Sequence, residues 1–383
     1  MRPVTMTKPS LDLLRSLTDE HVLRALMAER QLTRAELAAR TGISKPTVSE
    51  SARRLSAAGL IRDTGAKTSG RGRVGSYYGL AEDIGTALVV SIAPDGVVAE
   101  CLDSHGAVLA SMRQPLARPA RPRQVESALR AVAGQVLAAA PGHGPVRLGV
   151  VSAADPVDRR SGRLVHLPDA PFLVGELSPA DVLGSSVDGP VLVDNDVNWE
   201  ARAERAAVPP GELADFAYLH LGEGLGCAVV SDGEVRRGFT GIAGEVAHLV
   251  TVGPGGRAML LTEVFQELGL RQAGTTAIDV AALLDAFDGR DAVTGPVRAA
   301  VGTALSGVLA ALVAVCDPEV VILGGDWGGH PAVIDTVRAR FRQSPRHVPI
   351  RPATVTEEPA LSGARRRALG DLRTAIVARA RAV

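Results

Sequence analysis

The chain has 383 residues, enough for two or three domains, and 46% of them are hydrophobic although only 3% are aromatic. Its 42 Lys and Arg match its 42 Asp and Glu, yet residues 1–80 hold 14 basic against 7 acidic side chains, with all three lysines (Lys8, Lys45, Lys67), and the remainder holds 28 against 35. With no apolar run of about 18 residues and charges throughout residues 1–20, neither a membrane span nor a secretory leader is expected, and Cys101, Cys227 and Cys316 read as buried free thiols of a cytoplasmic protein.

In chain order, Thr18 is placed to cap a first helix, with Asp19 and Glu20 in its first turn and Val22, Leu23, Leu26 and Met27 on its inner face. Thr33 and Glu36 form a capping box that opens a short second helix, Thr33–Arg40, with Leu37 inward. Gly42 turns the chain, and Ser44 caps a third helix that tolerates Pro46 in its first turn. Val48, Ala52 and Leu55 form the inner face of this third helix, while Lys45, Thr47, Ser49, Glu50 and Arg53 form the outer one. Gly59 ends it, and Leu60–Asp63 and Ser76–Leu80 read as wing strands around a Gly70-Arg71-Gly72-Arg73 tip.

This order is that of a winged helix-turn-helix over residues 1–80. The third helix carries small polar side chains with Lys and Arg, the set that enters a major groove about 12 Å wide. Arg71 and Arg73 suit a minor groove. The expected partner is a double-stranded DNA operator, an inverted repeat bound by a homodimer or tetramer; a protein-binding helical module is the alternative.

The pattern then shifts. Ala87–Ala93, Val97–Cys101 and Ala107–Met112 are short strands punctuated by Pro94-Asp95-Gly96 and Ser104-His105-Gly106, followed by a helix over Gln124–Ala140 and buried strands at Leu148–Val151 and Val191–Val193. The alternation predicts an α/β body over residues 81–383.

Four motifs follow in order: Asp194-Asn195-Asp196-Val197-Asn198; Gly222-Glu223-Gly224-Leu225-Gly226; Arg237-Gly238 with Gly241, Ala243-Gly244-Glu245 and His248; and Val321-Ile322-Leu323-Gly324-Gly325. With the winged head, they resemble the ROK family of repressors, open reading frames and sugar kinases, over essentially the whole chain. The resemblance implies a two-lobed actin-like, ribonuclease H-like sugar-kinase fold with a carbohydrate in the cleft. It places Asn195, Asp196, Glu245, His248 and Glu263 at sugar-contacting positions, Asp196 at that of the catalytic base, and a sugar or sugar phosphate as effector.

Three departures argue against catalysis. Aligned from the wing through Tyr78-Gly79-Leu80, the family's Asp-x-Gly phosphate motif falls on Ser91-Ile92-Ala93, which leaves Asp83-Ile84-Gly85 a decoy. Glu223 replaces a phosphate-loop threonine and would repel phosphate, and Asp326 follows Gly324-Gly325. No catalytic residue is therefore assigned. The family's structural zinc needs three cysteines, and residues 253–260 contain none, so no metal or other cofactor is expected. An active sugar kinase bearing a DNA-binding head and a regulator with a vestigial, ligand-free body remain the alternatives.

Overall fold

The computed structural model describes residues 11–68, 75–167, 172, 175–289 and 294–381. The head consists of α1 (Leu11–Ala28), β1 (Leu32–Thr33), α2 (Arg34–Thr41), α3 (Lys45–Ala57), β2 (Ile61–Lys67) and β3 (Ser76–Leu80). Local capping sets its helices. Thr33 Oγ1 accepts from Glu36 N while the Glu36 carboxylate accepts from Thr33 N, and Gly42 closes α2 at φ 69°. Ser44 caps α3 by accepting from Thr47 N. The wing tip, with Arg71 and Arg73, lies outside the described residues.

One expectation for the head is corrected. Thr18 does not start a helix: α1 already runs from Leu11, and the Thr18 hydroxyl donates to the Leu14 carbonyl in mid-helix. Asp19 is 7% exposed and accepts from Ser51 Oγ and Arg54 Nη2 (2.7 Å), which locks α3 against α1. A carboxylate paired in this way carries a tertiary contact and does not serve a helix start.

The first lobe holds β4 (Thr86–Ala93), β5 (Gly96–Leu102), β6 (Val108–Pro115), α4 (Pro122–Ala138), β7 (Val146–Ala153), α5 (Pro179–Leu183) and β8 (Val191–Asn195). Its sheet runs β6-β5-β4-β7-β8. The second lobe holds α6 (Asp196–Ala206), β9 (Phe216–Leu221), β10 (Leu225–Ser231), β11 (Glu234–Val235), β12 (Val250–Val252), β13 (Ala258–Leu260) and α7 (Leu261–Glu267). It continues through α8 (Val280–Asp288), α9 (Thr294–Cys316), β14 (Val320–Gly324), α10 (Gly325–Gly328), α11 (Pro331–Phe341) and β15 (Ile350–Pro352), and α12 (Pro359–Arg381) ends the described chain. Its sheet runs β11-β10-β9-β14-β15, so both lobes repeat one plan: three antiparallel strands, then two parallel ones on the other side of the first.

Each central strand is buried on both faces, as parallel sheets require. Along β4, Leu88, Val90 and Ile92 pack with α4, while Ala87 and Val89 pack with α12. The second-lobe core gathers Val301, Leu305, Val308 and Leu309 of α9 with Leu219, Val321 and Trp327. The expectation that no apolar stretch of about 18 residues exists is corrected by α9, which by length and composition alone could cross a membrane; 44% of its most apolar window is buried inside the fold.

The helix α12 returns to the first lobe and lies between its sheet and the head. Leu361, Ala364, Ala368, Leu372, Ile376 and Val377 share one core with Val22, Leu23 and Leu26 of α1 and with Ala87, Val89, Leu148 and Val150 of the sheet. Arg373 donates to the carbonyls of Met27 (3.0 Å) and Ser104 (3.1 Å), and Arg381 pairs with Glu20 at 2.6 Å. The head is thus bedded on the first lobe by packing as well as joined to it through residues 81–85.

Candidate functional site

On α3, Val48, Ser51, Ala52 and Leu55 face inward. Lys45, Thr47, Glu50 and Arg53 are exposed on the opposite side, and Ser49 is half-buried. Arg53 donates to both oxygens of Glu50 at 2.7 and 3.2 Å, a bidentate pair at the exposed helix surface. The helix carries no bulky apolar side chain on this face and can approach a groove closely.

The second site is a cavity of about 440 Å³ between the lobes, within the range typical of small-ligand sites. Asn195, Asp196, Glu245 and His248, four residues singled out from the sequence, all line it. Asn195 caps α6: its Oδ1 accepts from Val197 N at 3.0 Å, and its Nδ2 donates to the Ala153 and Asp155 carbonyls at 3.3 Å. Asp196 follows at the first position of α6. Burial pushes its carboxyl up to about 7, against the pull of His220 and with further push from Glu200. Burial likewise lifts Glu245 to about 7, with His248 opposing. Two side chains that accept or donate according to pH therefore face one cavity, which suits a polyhydroxylated ligand.

The glycines of the third motif bring Glu245 there. A Cβ on Gly241 would run into the Val157 carbonyl and one on Gly244, at φ +101°, into the Cys227 carbonyl. Asp194 joins this motif to the first. It is buried, pairs with Arg202 at 2.8 Å and with Arg237 at 3.1 Å, and accepts from Asn198 Nδ2 at 2.9 Å.

Glu263 is a correction. It is exposed and does not line the cavity; its carboxylate accepts from Leu260 N at 2.8 Å and caps α7. A Glu three residues inside a helix start satisfies an orphan N–H there, and that local demand turns it away from the cleft.

Sequence reasoning missed His220 and Glu200. His220 lines the cavity, and its Nδ1 lies 2.9 Å from buried Glu200. Although burial opposes the charge, Glu200, Asp196 and Asp326 raise the imidazole to about 9. The available signal was the polar His220 in the otherwise apolar run Phe216–Leu221, beside the glycine-rich turn. Asp155, buried at the end of β7, and Phe172, whose ring lies against Gly224, also line the cavity. Of the altered loop Leu167–Phe172, residues 168–171 lie outside the described ones.

Asp83-Ile84-Gly85 lies away from the cleft, where Gly85 N donates to the His143 carbonyl at 3.1 Å. Ser91–Ala93 ends β4 and leads into the hairpin turn whose Pro94 and Asp95 line the cavity. The segment expected to replace a zinc site is a hairpin, β12–β13, closed by Gly253 N donating to the Arg257 carbonyl at 2.8 Å. Among the described residues no group of three His, Cys, Asp or Glu side chains is placed to hold a metal, so this donor set does not fit a zinc.

A winged helix-turn-helix seated on a two-lobed sugar-kinase-like body defines a DNA-binding regulator. The model of the ROK family matches residues 95–371, and that of the MarR family matches residues 17–72. The chain belongs to the ROK family. It is 22% identical over 229 residues to a putative xylose repressor of Caldicellulosiruptor sp., covering 60% of this chain and only 57% of that one. It is 27% identical over 312 residues to the N-acetylmannosamine kinase of Salmonella typhi, covering 75% and 99%. Among solved structures, a ROK family transcriptional regulator homologous to the E. coli MLC protein superposes with a TM-score of 0.62 at 17% identity, covering 95% of this chain and 99% of the other. The ROK hexokinase of Thermus thermophilus superposes at 0.58 and 24% identity, covering 76% and 99%.

Proposed function

We propose that the protein is a cytoplasmic repressor, a dimer or tetramer on an inverted-repeat operator, whose affinity for DNA is set by a sugar or sugar phosphate bound in the cleft without phosphotransfer. The main support is that Asn195, Asp196, Glu245 and His248 converge on a cavity between two lobes, one of which shares its core with the DNA-binding head. Closure of the lobes on a ligand would shift the second lobe relative to that head, and in an oligomer would change the spacing of the recognition helices. A coupling of about 1–3 kcal/mol moves operator affinity roughly 5- to 150-fold.

Glu223 in the glycine-rich turn and Ser91-Ile92-Ala93 at the first hairpin support a cleft that binds without transferring phosphate. The test is an operator titration across a carbohydrate panel, in wild type and Glu245→Ala. A sugar that weakens operator binding in wild type alone is the expected result. Equal shifts in both would remove Glu245 from the site, and no shift with any sugar would leave a constitutive regulator.

The kinase reading keeps one specific observation in its favour: Asp196 lines the cavity with a carboxyl that titrates near neutrality, as a general base requires. Sugar-dependent ADP release that disappears in Asp196→Asn would establish it.

A further inference from the structure

One end of the cleft is bridged by a contact between its own walls. Arg118 lies between β6 and α4 on the first lobe, and Glu223 lies in the turn joining β9 to β10 on the second. Arg118 Nη1 donates to both carboxylate oxygens of Glu223, at 2.8 and 2.7 Å, while its Nε donates to the Pro94 carbonyl at 3.2 Å. From the second lobe, Gln272 Nε2 donates to Glu223 Oε1 at 3.1 Å, and Ile278 N fixes the Glu223 carbonyl at 2.9 Å. The carboxylate is gripped from both lobes, as a bound anion would be.

The surrounding backbone is rich in glycine, as turns that hold anions are. Gly222, Gly224 and Gly226 keep this turn free of Cβ atoms, and Gly325, at φ +81°, approaches Leu221 so closely that a Cβ would lie 2.5 Å from its carbonyl oxygen. The space beside these glycines is taken by the chain itself: His220 and the Asp326 carboxylate lie against Gly222, Phe172 against Gly224 and Val197 against Gly226. His220 stands behind Gly222, where a Cβ would come 2.6 Å from its Nε2. The charge that fills this cradle belongs to the chain itself.

We propose that Glu223 is an internal substitute for a phosphoryl group: by occupying Arg118 and bridging the lobes, it restricts the cleft to unphosphorylated ligands. This rests on the reading of the cleft as a ligand site and narrows the proposed effector from a sugar or sugar phosphate to the free sugar. Asp326 and Asp95 also line this end, Asp95 paired with Arg113, and they add to the exclusion of external anions. The two halves of the cavity are therefore chemically unlike. A neutral polyol meets hydrogen-bonding partners at the Asp196–Glu245 end, whereas a phosphate meets a receptor already satisfied.

Inorganic tripolyphosphate tests this, titrated calorimetrically at constant ionic strength into the full-length protein, Glu223→Gln, and Glu223→Gln combined with Arg118→Ala. Wild type should show no saturable binding. Glu223→Gln should gain at least about tenfold in affinity as Arg118 is released to an external anion, and the second substitution should abolish the gain. Saturable binding to wild type, a folded Glu223→Gln without the gain, or a gain that survives Arg118→Ala would each overturn the proposal. Should Glu223→Gln fail to fold, Glu223→Thr provides the same comparison. Because no sugar or operator is involved, failure here leaves the carbohydrate-sensing reading standing, and failure of the carbohydrate panel leaves this result standing.

Discussion

Glu245 gives the site a measurable electrostatic cost. Its carboxyl has an ordinary value of 4.5 and is lifted to about 7 by burial. Folding therefore takes up a proton between those values. The stability is fully present below pH 4.5, falls as pH rises through 7, and is flat beyond. At about 1.4 kcal/mol per pH unit the ceiling is roughly 3 kcal/mol, and because the side chain keeps some solvent contact about 1–2 kcal/mol is expected. Glu245→Gln keeps the shape and cannot ionise. It should stabilise the ligand-free protein by about 1–2 kcal/mol at pH 8, with most of that gain gone by pH 5. Urea unfolding across pH 5–8 reads this directly, since both tryptophans, Trp199 and Trp327, are fully buried and report unfolding by fluorescence. An offset that is constant with pH, or a destabilised variant at pH 8, would refute the assignment of Glu245 as a carboxyl held in the cleft against its own solvation. The same variant should lose the effector response, so that stability and sensing move in opposite directions.

Three further outcomes follow from the same structure. Asp19→Ala strands Arg54 and Ser51 at the α1–α3 contact and should cost about 2–3 kcal/mol, read as early melting of the head together with loss of operator binding; unchanged melting would show the Asp19–Arg54 pair to be inert. Arg71→Ala with Arg73→Ala should lower the slope of log affinity against log salt by roughly 2, at about 0.9 per phosphate contact, and an unchanged slope would remove the wing from the DNA interface. The purified chain should contain no stoichiometric zinc and keep its unfolding midpoint in a chelator; one zinc per chain by elemental analysis would overturn the reading of residues 253–260.

The head was legible in the sequence because its signals are local. The Thr33–Glu36 box and the Ser44 cap each act within three residues, and the apolar run Ala87–Ile92 marks a buried strand wherever its partners lie. The cleft was legible where the family motifs carry it, at Asn195, Asp196, Glu245 and His248. Glu263 shows the limit: a resemblance of position pointed to the cleft, while the orphan N–H of Leu260 claimed the side chain. His220 and Glu200 meet from a strand and a helix 20 residues apart, and Arg118 finds Glu223 across 105 residues. The first pair is set by the packing of α6 on the second-lobe sheet and the second by how the two lobes close on each other, and no periodicity or cap records either. The placement of α12 is of the same kind, since Arg373 reaches Met27 from 346 residues away.

That helix bears on how this protein can be taken apart. Regulators of this architecture invite the exchange of DNA-reading heads between chains, with a cut in the linker after the wing. Here a cut near residue 80 would strip α1 of the helix that covers Val22, Leu23 and Leu26 and would leave Leu361, Leu372 and Ile376 facing a foreign surface. A working transplant has to carry two segments from opposite ends of the chain, the winged head and α12, or else redesign the seam between them. Specificity for DNA and the last helix of the body form one inheritable unit, although nearly three hundred residues separate them.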